Sequence, residues 1–170
     1  MSRRNEEIFQ DFNVYVGGMG QKGVANEVTP PAIEMVGVES ESSPVGKFEL
    51  FYGAVENMEL EFTMFADDAS VYDEMGKMNN GKVVLKTAKN NGELGQLKKV
   101  KIVANGQYSG LSEGTIKRGE KYENKVKMKS ITFYKKYING ICVCEIDKIG
   151  GICKPDGKND IMAEAREFVG

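Results

Sequence analysis

The sequence contains no histidine. That removes the commonest general base and the commonest metal ligand at neutral pH. Cysteine is scarce too: three residues, an odd number and too few for a disulfide framework in a chain of 170 residues. The expected setting is a reducing cytosol. No apolar run approaches the roughly 20 residues that span a bilayer. The opening MSRRNEEIFQDF carries two arginines with no apolar segment behind them, unlike a signal peptide. The chain therefore reads as soluble, and its length suits one domain, 1–170, able to bury a real core.

An excess of one charge is also missing, since the formal net charge is −2. The distribution is uneven, however. Residues 98–136 hold eleven Lys or Arg against three Glu, a local balance of +8, so the remainder carries −10. Such a split suits binding of a polyanion through one side, or stacking of copies basic side to acidic side. Composition alone favours neither.

What is present is alternation. NMELEFTMF (57–65) places Met58, Leu60, Phe62 and Met64 on one side and Asn57, Glu59, Glu61 and Thr63 on the other, the pattern of an antiparallel strand with one wet face. KVKMKSITFYKKYINGICVCEID (125–147) reads as two strands joined at Asn139-Gly140, a dipeptide that accepts the positive φ angles of a type I′ turn. Lys125, Lys127 and Lys129 alternate with Val126 and Met128. Near Ser130 the phase changes, and Ile131 and Phe133 are expected on the opposite face, as at a β-bulge or where a strand passes between sheets.

Further strands are expected at 12–16, 33–41, 47–53 (Phe48, Leu50 and Tyr52 on one side), 81–88 and 97–108. Loops are expected at 90–96 and 109–124. Within 66–78, Asp67 or Asp68 is placed to cap a short helix striped by Val71, Tyr72, Met75 and Met78, ending near Asn79-Asn80-Gly81. A second helix is expected over 160–168, capped by Asn159, with Ile161, Ala165 and Phe168 along one stripe. The sum, about seven strands with a central and a C-terminal helix, predicts a mainly β fold: an antiparallel sandwich or small barrel.

Catalytic signals are weak throughout. Cys142, Cys144 and Cys153 are three thiols where a structural zinc site wants four ligands, so buried, reduced cysteines are expected instead. The glycines at 17, 18, 20 and 23 lack the Gly-Lys-Ser/Thr and the strand-to-helix frame of a phosphate loop. Glu59 and Glu61 are explained as the wet side of a strand, without a glycosidase role. The lysines at 125, 127 and 129 suit a solvated face or a partner for acidic surface, and no interleaved aromatics accompany them to stack bases. No catalytic, cofactor-binding or metal-binding residue is assigned.

In order along the chain, several stretches resemble one family. They are Val28-Thr29-Pro30-Pro31, Asn57 to Phe65, Gly106-Gln107-Tyr108 with the polar loop after it, Lys125 to Asp147 with Tyr134, Asn139-Gly140 and Glu145-Ile146-Asp147, and the closing AREFVG. Together they resemble the major tail tube protein of contractile-tailed (myovirus-type) bacteriophages and of the related R-type bacteriocin particles. The stretch 88–97 and the cysteines fit no part of that pattern. The resemblance implies a non-catalytic structural subunit without cofactor, located in the virion tail and assembled in the host bacterial cytoplasm. It implies hexameric rings stacked into a hollow tube that conducts DNA. Its implied partners are its own copies, the tail sheath protein, and the baseplate or tail-initiator, tape-measure and terminator proteins. Glu59 and Glu61 are then expected to face the lumen, and Lys125, Lys127, Lys129, Thr29 and Pro30 to contact neighbouring subunits. Two alternatives stand beside it: the inner-tube protein of a bacterial contractile secretion system, and a nucleic-acid-binding β-domain using the basic region 98–136.

Overall fold

The computed structural model describes residues 6–20, 25–78, 80–90 and 96–170. They form β1 (Ile8–Val16), β2 (Met19–Gly20), β3 (Ala25–Thr29), β4 (Met35–Ser40), β5 (Phe48–Val55), β6 (Leu60–Met64), α1 (Ala69–Met75), β7 (Gly81–Asn90), β8 (Leu97–Ser112), β9 (Asn124–Ile138), β10 (Ile141–Asp147), β11 (Ile152–Lys154) and α2 (Ala163–Val169). The architecture is mainly β and antiparallel, with a short central and a short C-terminal helix, as the alternation predicts. One two-residue turn accounts for one of the extra strands. Gly17 and Gly18, both at positive φ, fold β2 back on β1. They make a hairpin, so their glycines serve the turn.

Nine strands form one sheet in the order β11-β10-β9-β8-β7-β1-β2, with β6 on β9 and β3 on β6. The strands β4 and β5 stand apart as a two-stranded hairpin. Among the described residues the sheet stays open. One face supplies most of the core: Val14 and Val16 of β1, Leu60, Phe62 and Met64 of β6, Val83 and Leu85 of β7, Val100, Ile102 and Ala104 of β8, and Val126 and Met128 of β9 are all buried, joined by Met58 and by Val71 of α1. That face must therefore curl around itself. Each of the larger side chains, Phe62 or Leu60 for example, stabilises the fold by about 1.5–3 kcal/mol on burial.

The spine is the β8–β9 pair, and its irregularity is local to one glycine. The register runs Asn105↔Phe133 and then Gln107↔Lys129, so Gly106 alone faces Ser130, Ile131 and Thr132. Ser130 takes φ 50° to make this possible. The freed backbone groups are satisfied on the other edge: Ile131 N–H donates to Met58 O at 3.3 Å, and Thr132 O accepts from Lys148 N–H at 2.8 Å. Below the bulge β9 pairs with β6, and above it with β10. The expected bulge is thus present, but the expected change of face is not. With three residues facing one, two are extra and parity is kept: Met128 and Tyr134 both face the core, Ile131 within the bulge turns in as well, and Phe133 is only half-buried. Beyond β9, Asn139 (φ 50°) and Gly140 (φ 82°) close the hairpin between Ile138 and Ile141.

Three further expectations shift. β8 continues through Ser112, so only 113–123 is loop; Tyr122 ties it down by donating to Asp67 at 2.7 Å. In α1, Asp68 caps as expected, accepting from Ser70 N–H at 2.8 Å. The helix stops at Gly76 and buries Val71 and Glu74, whereas Tyr72 and Met78 are exposed. Glu74 turns inward because its carboxylate accepts from Lys77 and, at 3.2 Å, from the Lys82 backbone N–H at the start of β7. In α2, Asn159 donates to Asp156 instead of capping, and the helix buries no residue. Its anchor is Asp160, which accepts from Cys153 N–H (3.1 Å), Met162 N–H (3.0 Å) and Arg166 (2.9 Å). The expected loop at 90–96 falls largely outside the described residues.

Candidate assembly surfaces

The two sets of charges singled out in the sequence meet on one surface. The strands β3, β6 and β9 lie side by side with Thr29↔Glu61↔Lys127 in one row. Glu61 pairs with Lys127 at 3.6 Å and Glu59 with Lys129 at 3.8 Å. Lys125 lies opposite Thr63 and Ser112. Glutamates and lysines therefore share the outer face of the sheet and neutralise one another pair by pair. Solvent-exposed pairs like these contribute about 0–1 kcal/mol each, so stability does not account for them. Thr29 at the end of β3 and Pro30 just after it are exposed; among the described residues β3 pairs only with β6 and leaves its other edge open.

A second region was not expected. The β4–β5 hairpin is rooted by Met35 and Val55, which pack on the core. Its register slips between Met35↔Val55 and Gly37↔Phe51, setting Tyr52, Gly53 and Ala54 opposite Val36, with Gly53 at φ 87°. From there it carries Val38, Phe48, Leu50, Phe51 and Tyr52, all exposed. One face holds Val38, Phe48 and Leu50; the other holds Glu39, Glu49 and Phe51. The signal was available in KFELFYG, where apolar residues occupy both parities of one strand. A strand apolar on both sides needs cover on both sides.

A third region is a shallow groove on the outer face of β1, β7, β8 and β9, in the row Asn13↔Lys86↔Lys101↔Tyr137. Lys86 lies over the Tyr15 ring at 4.8 Å, and Lys101 and Lys135 lie over Tyr137 at 5.7 and 5.5 Å. Lys99 and Asp11 complete its rim. A fourth feature is the outer end of α2, where Phe168 is 93% exposed beside Val169.

The cysteines belong to packing. All three are free, Cys144 and Cys153 are buried, and burial first of all pushes both of these thiols above the ordinary range. Tyr134 is likewise pushed up, to about 12, by burial. Among the described residues no group of three or more His, Cys, Asp or Glu is arranged to hold a metal ion.

The described surface thus offers an open sheet edge, an exposed arm with Val38, Phe48 and Leu50 on one face and Phe51 among glutamates on the other, and a lysine-lined groove. The profile of the family described as "Phage tail tube protein FII" matches residues 6–170. The chain belongs to that family. No curated protein matches it. Among solved structures it is similar to the sheath/tube terminator of an extracellular contractile injection system, PVC, in the extended state. That likeness has 13% identity and a TM-score of 0.53, over 71% of this chain and 89% of the other. It is also similar to the tube-terminating cap of the anti-feeding prophage, at 10% identity and a TM-score of 0.54 over 75% and 87%. At these identities the likeness establishes the shared fold.

Proposed function

We propose that this chain is the repeating, non-catalytic subunit of the inner tail tube of a contractile tail, in a phage or a headless prophage-derived particle. Hexameric rings of it stack into a tube inside the sheath, assembled in the host cytoplasm. The tube starts on the baseplate or initiator, is measured by the tape-measure protein and is closed by the terminator. DNA passes through its lumen on ejection. The observation that carries this reading is the family match over residues 6–170. The open edge of β3 supports it, because joining subunits edge to edge into a ring removes exposed strand edges that otherwise invite aggregation.

In this reading the paired outer face looks into the lumen, with Glu59 and Glu61 on it. Lys127 and Lys129 pair with them, so these two lysines are already engaged and less free to grip a phosphate. Thr29 and Pro30 on the free edge, and Lys125 at the foot of β9, meet the neighbouring subunit. Reversing Glu59 and Glu61 to lysine leaves five lysines at 59, 61, 125, 127 and 129, a surface on which each phosphate contact adds affinity. Such a phage should eject DNA slowly or incompletely; normal ejection would remove the lumen assignment.

Negative-stain electron microscopy of the purified protein over a concentration series tests the central claim. Open-ended hollow tubes of uniform width are expected. A persistent lack of assembly with an added initiator refutes it. The fold shared with two terminators gives a second reading, a cap on the tube end, and the same images decide it: single rings that seal preformed tubes instead of extending them.

A further inference from the structure

The hairpin and the groove have complementary chemistry on opposite terms of the same molecule. Between Glu34 and Glu56 the arm carries five glutamates, at 34, 39, 41, 49 and 56, against Lys47 alone. Lys47 bridges Glu39 at 2.9 Å and Glu41 at 3.1 Å. Glu49 lies directly across from Glu39 in the ladder. Like charges directly opposite one another destabilise a strand pair, so this face gains from a cation supplied from outside. Beside them Phe51 lies flat over Gly37, where an added Cβ would come within 3.1 Å of the ring and 2.9 Å of the Glu49 carboxylate. The result is a smooth, acidic, aromatic face.

The groove is its counterpart. It offers Lys86, Lys99 and Lys101 with the rings of Tyr15 and Tyr137 between them, and among the described residues no carboxylate pairs with these three lysines. On its wall, Asn13 Oδ1 and Thr87 Oγ1 have no hydrogen-bond partner among the described residues. A two-stranded hairpin is marginally stable alone in water, so the arm itself calls for a partner.

We propose that the Glu39–Glu49–Phe51 face of the β4–β5 hairpin seats in the Lys86–Lys101 groove of a second copy. Glu39 and Glu49 meet the unpaired lysines, and Phe51 packs between Tyr15 and Tyr137. The contact is heterologous: it uses two different surfaces of one subunit, so it propagates through a ring or along a stack. The inference rests on the self-assembly proposed above and identifies the surfaces that carry it.

The test is a charge exchange in the full-length chain. E39K/E49K and K86E/K101E are each expected to raise the critical concentration for tube formation about tenfold or more, followed by sedimentation and electron microscopy, because each places like charges in the contact. Combining all four substitutions in one chain is expected to restore assembly. Circular dichroism and thermal melting of each variant show whether it folds. A photoreactive benzoylphenylalanine at Phe51 gives an independent readout in the otherwise unaltered chain. Its cross-links in assembled tubes are expected on peptides containing Tyr15, Lys86, Lys101 or Tyr137. Wild-type tubes with cross-links elsewhere, or charge variants that assemble like wild type, overturn the contact and leave the tube reading standing. K86E/K101E tubes that form normally but lose affinity for a short labelled DNA duplex overturn it in favour of a nucleic-acid groove. Failure of the wild-type chain to assemble with an initiator removes both.

Discussion

Gly106 is the residue on which the β9 bulge depends, and Gly106→Ala measures that dependence. A Cβ there would sit 3.0 Å from Ile131 Cα, 3.0 Å from Lys129 O and 3.1 Å from Ile131 Cγ1. Two of these neighbours are backbone, so the clash cannot be relieved by turning a side chain. Overpacking of this kind costs about 1–3 kcal/mol. For a chain of this size each kcal/mol moves the melting temperature by roughly 2–4 °C, so a fall of about 2–12 °C is expected. The internal control is Gly110→Ala, four residues on in the same strand, where an added Cβ meets nothing within 4 Å. That change should be neutral, or stabilise by about 0.4–1 kcal/mol through the lost freedom of the unfolded chain. Urea titration followed by circular dichroism, below the concentration at which polymer forms, reports both. Equal stability of the two variants would refute the packing argument for the bulge.

Two other substitutions probe the helices. Glu74→Ala strips the Lys82 N–H of its acceptor and leaves a gap under Gly17, and should destabilise by about 1–3 kcal/mol in the same urea assay. Asp160 is held below its ordinary value of 3.8, chiefly by the hydrogen bond from Cys153 N–H and further by Arg166. A carboxylate lowered on folding contributes stability above its unfolded pKa and loses it as pH falls through the folded one. Protection of the 160–170 amides against hydrogen exchange should therefore drop on acidification below the ordinary aspartate range. Asp160→Asn should remove most of that pH dependence.

What was legible in the sequence was local. Asn139-Gly140 announced its turn because both residues tolerate positive φ, and 57–65 announced its strand because one wet face repeats every second residue. The inward turn of Ile131 was not legible, because the bulge that holds it is set by Gly106 on another strand. The pairing of Glu59 with Lys129 and of Glu61 with Lys127 joins strands nearly seventy residues apart, as the register of β6 on β9 dictates. The α1 stripe failed at Tyr72 and Met78 because a helix of seven residues is too short to seat both, while Glu74 is drawn inward by the Lys82 N–H. The exposed arm was hidden for a different reason. An apolar strand reads the same in sequence whether or not its own chain covers it.

The outer surface divides into two electrostatic regimes, and salt should separate them. On the β3–β6–β9 side the glutamates of β6 and its approach have their lysines, with Glu61–Lys127 and Glu59–Lys129 both exposed. In the groove, Lys86 and Lys101 lie on tyrosine rings and among the described residues form no ion pair, and the arm holds the surplus acid. The subunit's own ion pairs are weak, so raising ionic strength should leave its melting temperature nearly unchanged. Contacts between subunits that join unbalanced charges are screened once the Debye length shrinks, from about 8 Å at 0.15 M salt to about 3 Å at 1 M. The critical concentration for tubes should therefore rise severalfold over that range while the subunit melt stays put. If both quantities move together, salt acts on the fold and the unbalanced groove does not drive assembly. If neither moves, the contacts between copies are apolar, and the exposed Val38, Phe48 and Leu50 face of the arm becomes the surface that holds the tube together.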